Sequence, residues 1–316
     1  MITVRRKTDR IRVDGVLLLD KPAGVTSNGA LQAAKRLLNA AKSGHTGTLD
    51  PLATGLLPLC FGEATKFAQS LLDADKAYSA VLELGVTTTT GDAEGEVLAR
   101  TPVAVSPEQV EAVLVRFRGG IEQIPPMYSA LKHNGRPLHE LARRGIEVDR
   151  EPRRVRIHAL ALRCVEGSRI EIDVRCSKGT YVRTLATDIG AALGCGAHLR
   201  QLRRTAIGAL SLTQAVPLDR LETSAPVERM HLLLPVDALL ADLPALALDA
   251  DAGMRFLQGQ AVELPLVPAR CRAYVGGRFV GLGAADATGR LAPRRLVTQS
   301  GSLQPTCGGA EVLESQ

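Results

Sequence analysis

The chain has no tryptophan, and aromatic side chains make up only 3% of its 316 residues, so each one at a special position stands out. It carries six cysteines (Cys60, Cys164, Cys176, Cys195, Cys271 and Cys307) and no C-x-x-C pair. In a chain this long, that scarcity excludes a disulfide framework and suits a reducing compartment, the cytoplasm. No run approaches ~18 consecutive apolar residues, so no membrane-spanning helix is expected. The basic opening MITVRRKTDRIRVDG lacks a following apolar core, so no secretory signal is expected either. Apart from Cys195-x-x-His198, histidines and cysteines do not fall at ligand spacings. A structural zinc site needs four ligands, so no metal is expected. GHTGTLD is not followed by Gly-Lys-Ser/Thr and is not a phosphate-binding P-loop. Internal repeats and low-complexity tracts are missing as well.

What is present is a folded chain of mild basicity. Hydrophobic residues are 45% and charged ones 23%, which excludes general disorder. Lys and Arg number 39 against 33 Asp and Glu, a net charge of +6, and that sign favours a polyanionic partner. The length fits about two ordinary domains.

DGVLLLDKPAGVTS reads as a buried strand over Gly15 to Leu19, then a turn with Pro22 and Gly24. A helix follows with Leu31, Ala34, Leu38 and Ala41 on one face and Gly44 as its stop. YSAVLELGV alternates as a half-buried strand from Tyr78. Ser106-Pro107-Glu108-Gln109 predicts a helix start with a reciprocal cap, and Gly119-Gly120 its end. RVRIHALALRC and SRIEIDVRC flank Glu166-Gly167-Ser168 as a hairpin. SKGTYVRTLATDIGAALG predicts a helix with Val182, Leu185, Ile189 and Leu193 inward. Strands and helices mix without βαβ alternation, so the fold class is α+β. ADLPALAL (241–248) marks a domain seam, followed by short strands with Gly turns and, from about residue 299, a tail.

Asp50 is the suggestive carboxylate. Its ordinary explanation is a helix N-cap with Pro51 at the first helical position, though a cap can also face a cleft. Gly44, Gly47 and Gly55 around it would let a ligand approach. Arg183, about one turn into its helix, has no acidic neighbour at i±3 or i±4, so it is either solvated or paired with a distant carboxylate. Tyr78, Tyr128 and Tyr181 are core aromatics or stacking platforms for an unpaired base. Residues 132–156 hold eight basic side chains against four acidic ones, a solvated surface or a phosphate-contacting one.

Taken together, six blocks resemble the TruB family of bacterial tRNA pseudouridine synthases. They are GVLLLDKPAGVTS (15–27), GHTGTLDPLATGLLPLCFGEATK (44–66), KAYSAVLELGVTTTTGDAEG (76–95), PPMYSALKHNGRPLHELARRG (125–145), CSKGTYVRTLATDIG (176–190) and HLRQLRRTAIG (198–208). They keep the family's order and span most of the first 210 residues. The resemblance implies a catalytic domain over 1–245, on a mixed, mainly antiparallel sheet flanked by helices, with a mobile thumb at about 124–152. A small β-barrel of the PUA type, an RNA-binding module, would cover 246–298, and 299–316 would be a flexible tail.

The family isomerises uridine to pseudouridine at position 55 in the T loop of tRNA, as an intramolecular transferase needing no metal or organic cofactor. By the resemblance, Asp50 is the essential carboxylate, attacking the sugar C1′ or the base C6 or abstracting a ribose proton. Arg183 pairs with it; Tyr78 stacks on the extruded base and helps remove the C5 proton. Leu202 packs on the other uracil face, and His45 fills the space that the flipped nucleotide leaves. Lys21 and Pro22 support the floor of the site, and Tyr181 the sheet beneath it. His139 stands in the thumb where a tyrosine would be expected. The expected partner is the T arm and elbow of tRNA, bound by a monomer without an obligatory protein partner or membrane. Two alternatives are a tRNA-folding chaperone with secondary catalysis and the guide-RNA-dependent synthase of archaea and eukaryotes. The second works with partner proteins, whereas this chain carries its own thumb.

Overall fold

The computed structural model describes residues 10–129 and 131–298, with backbone only at His139; the tail from 299 lies outside the described residues. The chain divides into two compact units between Asp242 and Leu243.

The first unit is built on a ten-stranded sheet, eight of whose strands form its continuous path: β1 (Gly15–Lys21), β2 (Thr54–Phe61), β3 (Lys76–Leu84), β4 (Gly119–Gln123), β5 (Arg153–Glu166), β6 (Arg169–Cys176), β7 (Ala197–Ile207) and β8 (Val216–Pro217). Their order across the sheet is β8-β1-β2-β7-β3-β6-β5-β4. Only β8–β1 and β2–β7 pair in parallel, so the sheet is mixed and mainly antiparallel. Helices α1 (Ser27–Leu37), α2 (Pro107–Arg116) and α3 (Val182–Ala192) pack against it.

Local chemistry accounts for these elements. Val16 to Leu19 form an unbroken apolar run, and all four are at most 2% exposed, as a strand covered on both faces requires. Helix α1 starts at Ser27, with the Thr26 hydroxyl accepting from Gly29 N. It ends at Leu37, well before Gly44, because Asn39 takes the left-handed φ of +50° that breaks it. Ser106 and Gln109 form the reciprocal cap of α2, and Glu166 pairs with Arg169 across the β5–β6 turn. Val182, Leu185 and Ile189 are buried on α3.

In the second unit, strands β9 (Ala245–Leu248), β10 (Arg270–Val275), β11 (Arg278–Ala285) and β12 (Leu291–Leu296) form one sheet in that order. Gly276-Gly277, both at positive φ, make the two-residue turn between β10 and β11. Helix α4 (Ala250–Leu257), capped by Asp249, buries Phe256 with Leu248, Val262, Cys271, Val280 and Leu291. An isolated bridge joins Val262 to Leu291, and no pairing among the described residues closes the sheet into a ring.

Candidate active site

Asp50 lies on the irregular segment between the short strand Ser43–His45 and β2, and no helix begins at Pro51. The N-cap explanation therefore fails. Residues 50–53 make a turn closed by Ala53 N donating to the Asp50 carbonyl at 3.1 Å. The segment is pinned from four directions. The buried Ser27 hydroxyl bonds both the N–H and the carbonyl of Leu49, at 2.8 and 2.9 Å. The fully buried Lys21 ammonium donates to the carbonyls of Pro22, Val25 and Pro51 at 2.8, 2.6 and 3.3 Å. Arg204 Nη2 donates to the Gly47 carbonyl at 2.9 Å, and Glu94 accepts from the backbone of Leu52.

Gly55 owes its identity to the protein and not to a ligand. A Cβ there, at φ +97°, would lie 2.3 Å from the Arg204 carbonyl where β2 meets β7. Gly47, at φ +72°, faces the Arg204 guanidinium.

Arg183 is the second residue of α3, in its first turn, and is buried rather than solvated. Its Nε lies 3.1 Å from Asp50 Oδ2 and its Nη1 3.5 Å from Asp92 Oδ2. Nη1 also donates to the Thr90 carbonyl at 3.4 Å and Nη2 to the Tyr128 carbonyl at 2.6 Å. The guanidinium is thus held on all its edges, and two carboxylates share it. Asp92 is 3% exposed at its side chain, whereas Asp50 keeps 40% of its side chain open to solvent. That asymmetry makes Asp50 the carboxylate able to meet a substrate. Asp92 sits on a loop joined to β7 through Ala93 N to Leu199 O and Leu199 N to Gly91 O.

Burial lifts the Asp50 carboxyl above its ordinary value; Arg183 and Lys21 pull it down, and Asp92 adds to the lift. Pairing with Arg183 alone thus understates what acts on Asp50. Burial also brings the Lys21 ammonium down to about 8, against the attraction of Glu94 and Asp50. His45 is lowered by burial and then by Arg204, which favours a neutral ring, and its Nδ1 is buried without a hydrogen-bond partner.

Tyr78 and Leu202 share one face of the sheet, because Tyr78 opposes Arg204 and Ala80 opposes Leu202 across β3–β7. Tyr78 is partly buried against the core and hydrogen-bonds Arg204. Tyr181 precedes α3, where its N–H and carbonyl both engage the buried Gln123 amide, at 3.0 and 3.3 Å. Pro22 is exposed, and its carbonyl accepts from Lys21. Asp92, Glu94, Arg204 and Gln123 escaped notice in the sequence. Asp92 and Glu94 lie in TTTTGDAEG, where two acids beside glycine read as an ordinary turn. Among the described residues no three His, Cys, Asp or Glu side chains converge to hold a metal ion. No described helix is long and apolar enough to cross a membrane.

A mixed, mainly antiparallel sheet flanked by helices, with a buried arginine holding a partly open aspartate, in a chain that also carries a small C-terminal sheet unit, is the pseudouridine synthase architecture. A chain of a Cbf5-Nop10-Gar1 complex superposes with a TM-score of 0.67 at 26% identity, over 90% of this chain and 84% of that one. Residues 35–182 match the N-terminal domain model of TruB family pseudouridylate synthases, 183–241 the tRNA pseudouridylate synthase B C-terminal model, and 244–297 a further TruB C-terminal model. A tRNA pseudouridine synthase B of Azoarcus sp. is 59% identical over 94% of this chain and the whole of its own. Another, of Dechloromonas aromatica, is 59% identical over 90% of this chain and 96% of its own. The chain belongs to the TruB family of pseudouridylate synthases.

Proposed function

We propose that this chain isomerises uridine to pseudouridine at position 55 in the T loop of tRNA, with Asp50 as its essential carboxylate. The observation that carries the reading is the Arg183–Asp50 pair at 3.1 Å, set so that the arginine is buried and the aspartate half open. Flipping the uridine out of the T loop costs a few kcal/mol and delivers it to that open edge. The N1–C1′ bond breaks, the uracil turns, C5 bonds to C1′, and the C5 proton leaves. The sugar passes through an electron-poor state, which a fixed anion on a preorganised loop stabilises. Asp50 acts by attack on C1′ or C6 or by taking a ribose proton.

Tyr78 and Leu202, on one sheet face, would grip the two faces of the uracil. His45, held neutral, would occupy the gap in the loop without adding charge beside Arg204. Lys21 would fix the floor by donating to the carbonyls of both Pro22 and Pro51, and Tyr181 would tie α3 to β4. Segment 124–152 would act as the thumb that closes on the RNA, 1–245 as the catalytic domain, and 246–298 as the PUA-like RNA-binding unit. The enzyme would work in the cytoplasm as a monomer without a protein partner. The purified chain, given an unmodified tRNA transcript bearing tritium at C5 of the T-loop uridine, should release that tritium unaided. No release overturns the proposal.

Binding should be largely electrostatic. Lys132, Arg136, Arg143, Arg144, Arg153, Arg154 and Arg156 are all exposed, as are Arg294 and Arg295 in the second unit. Each phosphate contact releases counterions, so log affinity for T-arm RNA should fall linearly with log salt, by about 0.7–0.9 per contact. A filter-binding series from low to moderate salt checks this, and a flat response contradicts it.

A further inference from the structure

Arg204 is the bulkiest of the fully buried side chains, at 1% exposure, and among the described residues no carboxylate pairs with it. Its basic neighbours feel the charge: Arg204 depresses the proton affinity of Lys21, His45 and Lys76 alike. A lone buried cation is costly to maintain unless its donors are satisfied. Here Nε donates to the Leu56 carbonyl at 2.8 Å, Nη2 donates to the Gly47 carbonyl at 2.9 Å, and the side chain also bonds the Tyr78 phenol. Leu56 lies on β2, Gly47 on the segment leading to Asp50, and Tyr78 on β3. One guanidinium therefore fixes the geometry between the Asp50 loop and the Tyr78 ring.

We propose that Arg204 is a positioning residue for the last chemical step, holding the Tyr78 oxygen as the acceptor of the C5 proton. This rests on the reading of Tyr78 as the residue against the uracil. In that step the C5–H bond breaks and its electron pair forms the C5=C6 double bond; the pair displaced from C6 goes to N1, which takes a proton from water, or, where Asp50 has added at C6, back to the Asp50 oxygen, and the C5 proton passes to the Tyr78 phenolate. The resulting phenol returns its proton to water before the next turnover. Three groups on other segments face the phenol: Arg204 on β7, Cys176 at the end of β6, and Asp50. Burial, Cys176 and Asp50 all keep the proton on Tyr78; Arg204 alone among them opposes this, by charge and by hydrogen bond. Arg183 pairs with Asp50 and Asp92 directly, whereas Arg204 reaches the Asp50 segment only through the Gly47 carbonyl and bonds the Tyr78 phenol itself.

The test is single-turnover pseudouridine formation on T-arm RNA carrying hydrogen or deuterium at C5, followed over a pH series, beside RNA binding. In Arg204→Met the deuterium effect should exceed that of the unmodified enzyme. The alkaline-rising limb of the rate should move to higher pH by about one to three units, with binding unchanged. Tyr78→Phe should remove the limb. A uniform rate loss at every pH with no added isotope effect would mean that Arg204 is only structural, and would overturn the proposal. If Tyr78→Phe itself leaves limb and isotope effect intact, the acceptor role of Tyr78 is wrong and the proposal falls with it. If only Arg204→Met leaves them intact, the role of Arg204 fails alone. Should Arg204→Met not fold, Arg204→Lys keeps the charge but has one donor group for three acceptors. It should show the same changes to a smaller extent, and their absence overturns the proposal equally.

Discussion

Asp50→Asn should reduce tritium release from C5-labelled T-arm RNA by at least about four orders of magnitude while RNA binding stays close to normal. Asparagine keeps the size and the backbone turn at 50–53 but carries no charge and is no nucleophile. The stability outcome separates this from a structural role. Burial raises the Asp50 carboxyl above its ordinary 3.8, so ionising it in the folded protein costs more than in the unfolded chain. A carboxyl of raised pKa contributes stability below its unfolded value and loses that contribution as pH rises through the folded value. At neutral pH the variant should therefore be as stable as the parent or more so, with the gap in Tm closing as pH falls toward about 4. For the same reason, activity of the parent should fall on the acid side at a pH above the usual carboxylate range. A variant that unfolds, or one that keeps its tritium release, contradicts the assignment.

How much of this was legible in the sequence follows from the range of the interactions. Reciprocal capping at Ser106 and Gln109, the hairpin turn at 166–168 and the apolar run of β1 are local, and each formed where its residues predicted. The end of α1 was misplaced because Asn39, an ordinary residue by composition, takes the turn conformation that Gly44 was expected to supply. Asp50-Pro51 looks like a helix start, and only contacts with Ser27, Lys21 and Arg204 hold it in a loop. Those partners lie 22 to 157 residues away. The missing helical partner of Arg183 left solvation and a distant carboxylate both open, and only the family resemblance chose the carboxylate. That there would be two, Asp50 and Asp92, depends on β7 carrying the 88–93 loop across to α3, which no spacing reveals.

The second carboxylate changes what removing the arginine should do. With Asp50 as sole partner, Arg183→Met would resemble a milder Asp50→Asn. Instead it strips the cation from a side chain that is 3% exposed, leaving the Asp92 carboxylate, among the described residues, with the Thr90 hydroxyl and the Glu94 N–H. Breaking a buried ion pair from one side typically costs about 3–5 kcal/mol, so Arg183→Met should lower Tm clearly where Asp50→Asn does not. Its activity should fall about a hundred- to thousandfold, less than for loss of the carboxylate, because Asp50 remains but lacks its fixed counter-charge. Asp92 then raises the Asp50 carboxyl unopposed by Arg183, so the acid limb of the residual activity should move to higher pH. The double variant Arg183→Met/Asp92→Asn decides whether the cost comes from the orphaned charge. It should recover most of the lost Tm and shift the acid limb part of the way back, since the repulsion is gone, while activity stays low. Equal Tm in the single and double variants would show that Asp92 is not what Arg183 neutralises.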